Sequence, residues 1–237
     1  MIRPLLAFAA LLSVSACATD SGNRYLAARA NPSDVIATEL AFARAAREKG
    51  TWTAFRDYAT GDAQWPGPQW ESVQAALKGA PDPAQPIVWE PDQVWASCDG
   101  SFALSSGPAT HPGGKRTRFA TIWQRQNNGE YRWVLDQGFE LEEGYAAPEM
   151  IPARVADCPP GRLGRSGRPA KARRAASWSS GRSDDGTLVW STELKADCSR
   201  TLLVSAKRDG MVTEVFRRES APPPVPANGA APICRPA

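Results

Sequence analysis

Histidine is almost absent from this chain of 237 residues, which contains one histidine and five cysteines. The histidine, His111, lies in the loop-like stretch Thr110-His111-Pro112-Gly113-Gly114, so we expect a solvated side chain and not a catalyst. No Cys-x-x-Cys motif is present. The sequence therefore supports neither a metal site nor a thiol redox site, and we expect no cofactor.

Long apolar runs are also scarce. The segment Leu5 to Val14 follows a single positive charge and is too short to span a bilayer as a helix. It is typical of a secretory signal peptide, which we assign to residues 1–16.

The end of this segment, Val14-Ser15-Ala16-Cys17, resembles the lipobox of bacterial lipoproteins. The resemblance implies that Cys17 becomes the acylated N-terminus, with palmitate among its chains, and anchors a periplasm-facing protein. Ala18 and Thr19 stand where Asp would signal retention in the inner membrane, which favours the outer membrane. The alternative is an ordinary cleaved signal.

Four cysteines remain in the mature chain, at Cys98, Cys158, Cys198 and Cys234. In an oxidising compartment an even number indicates up to two disulfides. The three possible connectivities cannot be distinguished from the sequence.

Acidic residues are missing from residues 161–182, which hold seven basic residues. Because the net charge of the chain is +3, the remainder carries −4. We interpret this stretch as a solvated linker, with contact to anionic lipid as the alternative, and we expect no nucleic-acid partner in the periplasm.

Changes of composition divide the mature chain into five parts. We predict a tether (17–30), a main domain (31–147), a basic linker rich in Gly, Pro and Arg (148–186), a β-meander of three strands (187–220) and a proline-rich tail (221–237). The meander is too small to be stable alone, so we expect it to dock on the main sheet, with Cys198 as a candidate staple.

The main domain begins with helices and continues with strands, which predicts an α+β fold. Asn31 and Pro32 can cap and start a helix that runs to about Lys49, with Ile36, Leu40 and Ala43 at helical spacing and Val35 and Phe42 beside them. A second helix from Thr51 and a third from about residue 68 follow. Short antiparallel strands then lead to a long hairpin.

That hairpin covers Phe119 to Phe139 and contains Asn128-Gly129, a strong signal for a two-residue type I′ turn. Such a turn sets Thr121 opposite Asp136 and Trp123 opposite Val134. One face then carries Phe119, Thr121, Trp123, Val134 and Asp136, and the other carries Ala120, Ile122, Gln124, Trp133, Leu135 and Gln137. Asp136 is the unexpected carboxylate in an apolar row.

The order of these elements, with Tyr58-Ala59-Thr60-Gly61-Asp62-Ala63, Thr121 to Arg125 and Trp133 to Asp136, resembles SnoaL-like members of the nuclear transport factor 2-like superfamily over residues 33–140. The resemblance implies a curved antiparallel sheet wrapped on the N-terminal helices as a cone with a pocket, and a homodimer through the sheet. Similar scaffolds serve isomerases, dehydratases, cyclases and binding proteins, so the fold does not decide the chemistry.

Isomerase-like members of that superfamily place a carboxylate just before a proline, where this chain has Trp65 before Pro66. Thr121 occupies the comparable place of their second acid. This leaves Asp136 as the candidate general base, with Trp65, Thr121 and Trp123 lining the same site. The alternative is an Asp136 that lies at the mouth of the pocket, or one that is hydrogen-bonded to Thr121 or to a loop amide.

Three functional hypotheses follow. The first is a membrane-anchored, non-enzymatic module whose cone binds a small apolar ligand or is filled by its own side chains, since the chain has nine tryptophans. The second is a cyclase, dehydratase or isomerase-like enzyme that uses Asp136. The third is an envelope module that binds a partner protein through its C-terminal part.

Overall fold

The computed structural model describes residues 30–67, 69–159, 172–174 and 178–225, together with Gly229 and Cys234. The signal peptide, the acylated Cys17 and the tether up to residue 29 lie outside the described residues, so these assignments stay predictions. Within the described part of the chain, no helix is long and apolar enough to cross a membrane.

Three helices are present, α1 (Pro32–Lys49), α2 (Thr51–Tyr58) and α3 (Val73–Ala76). The start of α1 is as predicted, because Asn31 Oδ1 accepts a hydrogen bond from the Ser33 backbone N–H (3.2 Å) and proline occupies the first helical position. The third helix is shorter than predicted, since Trp70–Ser72 forms a strand before it.

The buried face of α1 agrees in part with the prediction, because Val35, Phe42 and Ala43 are buried as expected. Val35, Glu39, Phe42 and Ala46 face the core at helical spacing, whereas Leu40 is 40% exposed. Glu39 was not among the residues that the sequence placed on this face. A buried carboxylate on a helix can be identified only once its partners on other elements are known.

The N-terminus of α2 is capped from a distant part of the chain. Asp82 Oδ1 accepts hydrogen bonds from the backbone N–H groups of Trp52 (2.5 Å) and Thr53 (3.0 Å). Thr51, the predicted cap, instead accepts a hydrogen bond from the Ile87 N–H (3.2 Å) through its hydroxyl. A loop carboxylate therefore satisfies the free donors of the first helical turn.

Replacing Asp82 by Ala is expected to lower the free energy of unfolding by about 1 kcal/mol, the usual effect of losing a helix cap. Urea denaturation followed by circular dichroism measures this change. Asp57→Ala, at the C-terminal end of α2, is the matched control and should leave the midpoint close to that of the wild type. Equal losses in both variants would contradict a capping role for Asp82.

The first sheet is large, curved and mixed, and the helices lie on its inner face. Its strand order is β2-β1-β7-β6-β5-β4-β8, and β3 pairs with β5. The strands are β1 (Ala59–Pro66), β2 (Trp70–Ser72), β3 (Val88–Trp89), β4 (Gln93–Ala96), β5 (Phe102–Thr110), β6 (Arg116–Arg125), β7 (Tyr131–Glu140) and β8 (Ala153–Val155). The pairs β1–β7 and β4–β8 are parallel, and the others are antiparallel. The predicted α+β class with a cone-like sheet on N-terminal helices is confirmed.

The second sheet packs on the outer face of the first. It has the order β13-β12-β11-β10-β9, with β9 (Arg173–Arg174), β10 (Trp178–Arg182), β11 (Leu188–Leu194), β12 (Arg200–Arg208) and β13 (Met211–Ser220). The two sheets share one apolar core, which includes Leu104, Ile122, Leu135, Trp190, Leu202 and Val204. The molecule is thus a layer of helices and two layers of sheet.

This second sheet has five strands where the sequence predicted three. Two of its strands, β9 and β10, fall within residues 148–186, which were predicted as a linker. β8 of the first sheet lies in the same range. β10 has small residues because the indole of Trp190 lies against Gly181, where a Cβ atom would meet Trp190 Nε1 at 2.3 Å. Glycine and serine therefore serve close packing here, although their composition is typical of a linker.

Two disulfides are confirmed, Cys98–Cys158 and Cys198–Cys234. The first joins the end of β4 to the segment after β8, and the second joins the β11–β12 turn to the C-terminal tail. The predicted staple through Cys198 is therefore wrong, because Cys198 pairs within the C-terminal part. Cys98 instead lies at the junction of the sheets, where its backbone N–H donates to Thr187 Oγ1 (2.8 Å).

Carboxylates reinforce the same junction. Asp99 Oδ2 accepts from the Asp185 backbone N–H, and Asp185 Oδ2 accepts from the Asp99 backbone N–H, both at 2.9 Å. Glu142, after β7, pairs with Arg218 on β13. The second sheet covers the outer face of the first. The homodimer through the sheet stays a prediction.

Candidate functional site

The β6–β7 hairpin closes with a three-residue loop. The Gln126 N–H donates to the Glu130 carbonyl (2.7 Å), and the Gly129 N–H donates to the Gln126 carbonyl (2.9 Å). Gly129 has a φ of 88°, whereas Asn128 does not have a positive φ. The predicted type I′ turn is therefore wrong, because the loop spans Asn127 to Gly129 and needs the left-handed conformation at its last position only.

A β-bulge at Val134 compensates for the additional loop residue. Trp123 pairs with Trp133, whereas Ile122 pairs with Leu135, so the register shifts by one between these pairs. The predicted pairing of Thr121 with Asp136 is confirmed as a result. The predicted pairing of Trp123 with Val134 is wrong, and Trp133 joins Trp123 on the inner face.

A polar row crosses the inner face of the sheet. Ser105 on β5 pairs with Thr121 on β6, and Thr121 pairs with Asp136 on β7. The Thr121 hydroxyl donates to Asp136 Oδ2 (2.7 Å). Trp65 follows Gln64, which pairs with Leu135, so register places Trp65 beside Asp136 at the end of this row.

Glu39 of α1 lies over the other end of the row and is fully buried. Its Oε1 accepts from Trp89 Nε1 (2.7 Å), and its Oε2 accepts from the Ser105 hydroxyl (2.5 Å) and from Trp123 Nε1 (3.2 Å). Trp123 Nε1 also donates to Ser105 Oγ (2.7 Å). Both carboxylate oxygens are therefore occupied by donors from the sheet.

Aromatic rings fill the space between the helices and the sheet. Phe42 contacts Trp89 and Trp123, with ring centroids 4.8 and 6.0 Å apart. Phe55 contacts Trp133 and Trp65 at 5.8 and 6.1 Å. Trp123 and Trp133 are fully buried. The cone interior is thus occupied by the protein's own side chains around the polar row.

Burial raises the pKa of Asp136 to about 6, although the hydrogen bond from Thr121 opposes this shift. Burial also raises the pKa of Glu39 to about 7, against the three hydrogen bonds that it accepts. The negative charge of Asp136 adds to the upward shift of Glu39. Because Asp136 ionises at the lower pH, its charge is present when Glu39 titrates, whereas Glu39 is still neutral when Asp136 titrates.

Replacing Thr121 by Val is expected to raise the pKa of Asp136 above its value of about 6, because the hydroxyl donor favours the ionised carboxylate. Carboxyl-carbon NMR titration of Asp136 measures the shift. Thr117→Val, on the same strand, is the control for a lost hydroxyl. A pKa that is unchanged or lower in Thr121→Val would contradict the role of this hydrogen bond.

A cavity of about 420 Å³ lies outside the cone, between α1, the end of α2 and the β6–β7 hairpin. It is lined by Ala37, Thr38, Ala41, Asp57, Tyr58, Glu130, Tyr131 and Arg132. None of the predicted site residues lines it. Among the described residues, no group of three or more His, Cys, Asp and Glu side chains is arranged to hold a metal ion.

The structure brings the four predicted site residues, Trp65, Thr121, Trp123 and Asp136, to one inner wall. Sequence reasoning missed Glu39, the second buried carboxylate. Its spacing from Val35 and Phe42, at four and three positions, was an available signal, because these three residues form one helical stripe. The sequence could not indicate that tryptophan and serine donors on three strands would converge on this stripe.

Solved structures similar in fold cover about half of the chain. An NTF2-like protein of unknown function from Pseudomonas putida KT2440 is 16% identical, with 51% of this chain and 96% of that chain covered and a TM-score of 0.36. A candidate ketosteroid isomerase from Parabacteroides distasonis ATCC 8503 is 12% identical, with 49% and 98% covered and a TM-score of 0.36. Another from Shewanella frigidimarina NCIMB 400 is 14% identical, with 40% and 86% covered and a TM-score of 0.29.

These likenesses concern the fold and carry no information on the chemistry of this chain. The sequence resemblance to NTF2-like proteins agrees with this likeness in fold, since one of the solved structures is an NTF2-like protein. No family model and no curated protein matches the chain.

Proposed function

We propose that this chain is a non-enzymatic module of the bacterial cell envelope, anchored to the membrane by lipid on Cys17 and facing the periplasm. The observation that carries the non-enzymatic part is the filled cone, in which aromatic rings surround Glu39 and three donors occupy both of its carboxylate oxygens. A general base needs a free lone pair and space beside it for a substrate. Glu39 has neither.

The first hypothesis from the sequence allowed either a cone that binds a small apolar ligand or a cone filled by its own side chains. The packing favours the filled cone. An apolar ligand would have to displace rings such as Trp123, which is fully buried and hydrogen-bonded to Ser105. A binding function then belongs to the outer surface of the module.

The anchoring part rests on the sequence around Cys17. Val14, Ser15 and Ala16 precede the cysteine as in a lipobox, and Ala18 and Thr19 favour the outer membrane. Several acyl chains on one residue give stable attachment, whereas one chain alone binds only reversibly.

Intact and native mass spectrometry of detergent-extracted protein tests both parts. We expect a chain that starts at an acylated Cys17, contains two disulfides and carries no additional small molecule. An unacylated N-terminus would contradict the anchor. A co-purified apolar compound that is lost in Trp123→Ala would contradict the filled cone and support the ligand-binding form.

A second candidate function, a cyclase, dehydratase or isomerase-like enzyme, is favoured by one observation. Asp136 is partly exposed and its pKa is raised to about 6, close to the range of a general base. Solvent-deuterium incorporation into a panel of cyclic ketones tests it. Incorporation that is lost in Asp136→Asn would establish the enzyme, and we expect none with either protein.

A further inference from the structure

One corner of the molecule combines exposed apolar and cationic side chains. It is formed by β8 and the tip of the β12–β13 hairpin, which are joined by the hydrogen bond from the Asp157 N–H to the Lys207 carbonyl (2.8 Å). Met211 and Val212 at this tip are each 68% exposed, and Met150, three residues before β8, is 81% exposed. These are the three most exposed large apolar side chains among the described residues.

Two arginines at this corner are held against one indole ring. The guanidinium carbons of Arg154 and Arg208 lie 5.5 and 5.7 Å from the ring centroid of Trp95, which is only 5% exposed. Arg154 pairs with Trp95 in the first sheet, whereas Arg208 comes from the second sheet. Stacking on a fixed ring restricts both side chains and leaves their N–H groups free.

Arg154 and Arg208 form no ion pair with any acidic side chain in the part of the chain that the structure describes. The ion pairs among the described residues involve Arg118, Arg174, Arg217 and Arg218, and not Arg154 or Arg208. The acids of this corner are Asp157, Asp209 and Glu149, which precedes Met150. Asp157 Oδ2 accepts from the Asp209 backbone N–H (2.5 Å), and none of the three acids forms an ion pair with either arginine. Both guanidinium groups therefore lie against one indole ring without an ion pair to any described carboxylate.

The apolar side chains stand beside these charges. Met211 pairs with Arg208 across the hairpin, and Val212 pairs with Lys207. Directly paired residues of an antiparallel ladder share a face, so Met211 lies next to Arg208 and Val212 next to Lys207. Exposed apolar residues beside basic ones are typical of surfaces that contact the interface of an anionic membrane.

We propose that this corner docks on anionic lipid headgroups, with the guanidinium groups of Arg154 and Arg208 binding lipid phosphate and Met211 entering the interfacial layer. The site is distinct from the residues 161–182 and from the cone. The proposal rests on the membrane location proposed above, because a tether at Cys17 would keep the fold close to the bilayer.

A lipid headgroup fits this surface better than a free phosphate compound does. Small soluble ligands are usually enclosed in a pocket, and the described cavity lies elsewhere, between α1 and the β6–β7 hairpin. An open pair of guanidinium groups flanked by apolar side chains instead suits a phosphate that is presented by a flat surface.

Hydrogen exchange of the full chain on vesicles tests the proposal. We compare vesicles of phosphatidylcholine alone with vesicles that also contain phosphatidylglycerol. On the anionic vesicles, exchange around Asp209 to Thr213 should be slower, and each arginine replaced by Gln should weaken this protection about fivefold. Met211→Ser should weaken it without changing the net charge.

The double variant Arg44→Gln with Arg47→Gln removes the same charge from the exposed side of α1 and is the matched control. Equal protection on both vesicles, or equal losses in the control and in Arg154→Gln with Arg208→Gln, would overturn the proposal. Slower hydrogen exchange with inorganic phosphate alone would also overturn the proposal, because it would indicate that the ligand is a soluble anion. Intact mass of the same sample reports acylation of Cys17, so a missing anchor is distinguished from a missing docking surface.

Discussion

Replacing Glu39 by Gln is expected to raise the free energy of unfolding at pH 8 by about 3 kcal/mol. Burial raises the pKa of Glu39 from 4.5 to about 7 in the folded chain, and each pKa unit corresponds to about 1.4 kcal/mol. A neutral amide avoids this cost of ionisation. Its carbonyl oxygen can accept from Trp89, and its NH₂ can donate to Ser105 Oγ, which still accepts from Trp123 (2.7 Å). The Ser105 hydroxyl then loses Glu39 Oε2 as its acceptor, which offsets part of the gain.

The pH dependence follows from the same shift. The folded chain holds the Glu39 proton up to about pH 7, whereas the unfolded chain releases it near pH 4.5. Between these values the folded state binds more protons, so its stability decreases as the pH rises through this window. Asp136, with a pKa raised from 3.8 to about 6, adds a change of the same sign.

Urea denaturation at a series of pH values from acidic to pH 8 measures this effect. The wild type should lose stability as the pH rises from about 4.5 to about 7, and Glu39→Gln should remove most of that loss. Glu48→Gln, on the exposed side of α1, is the matched control and should retain the wild-type profile. A Glu39→Gln variant that is less stable than the wild type at pH 8 would show that the charged carboxylate stabilises the fold.

Removing the disulfide Cys98–Cys158 is expected to lower the free energy of unfolding by about 4 kcal/mol. The bridge closes a loop over a sequence separation of 60 residues, and a crosslink of that span restricts the unfolded chain by about this amount. The effect should be large because Cys98 is fully buried where the two sheets meet.

The double variant Cys98→Ser with Cys158→Ser, compared with the wild type in urea without reductant, measures this loss. The double variant Cys198→Ser with Cys234→Ser keeps the Cys98–Cys158 disulfide and is the comparison variant. In the variant without Cys98 and Cys158, hydrogen exchange of the backbone amides should be faster in β8 and at the edge of the second sheet. A free energy of unfolding equal to that of the wild type would contradict a stabilising role for this disulfide.

The β6–β7 hairpin shows how far local sequence signals reach. The pairing of Thr121 with Asp136 was predicted correctly although the turn was not, because an additional loop residue and the bulge at Val134 cancel. Turn chemistry depends on neighbours within a few residues, and Asn-Gly suits both a two-residue and a three-residue loop. The bulge depends on how Trp123 and Trp133 both fit under α1 and α2, which no local pattern contains.

Long-range contacts explain the other differences. The partners of Glu39 are 50 to 84 positions away in the sequence, so its burial could not be derived from the pattern of α1 alone. β10 was missed because its small residues are shaped by the indole of Trp190 on the next strand. The α+β class, the first two helices and the number of disulfides depend on composition and periodicity and were predictable, whereas the disulfide pairing was not.

The second sheet gives the fold a property that a dimer would not have. A surface covered by a second copy is exposed again on dilution, because association depends on protein concentration. Here β10 to β13 belong to the same chain as the face that they cover, so their effective local concentration is fixed by the connecting segment. The outer face therefore stays protected at any protein concentration.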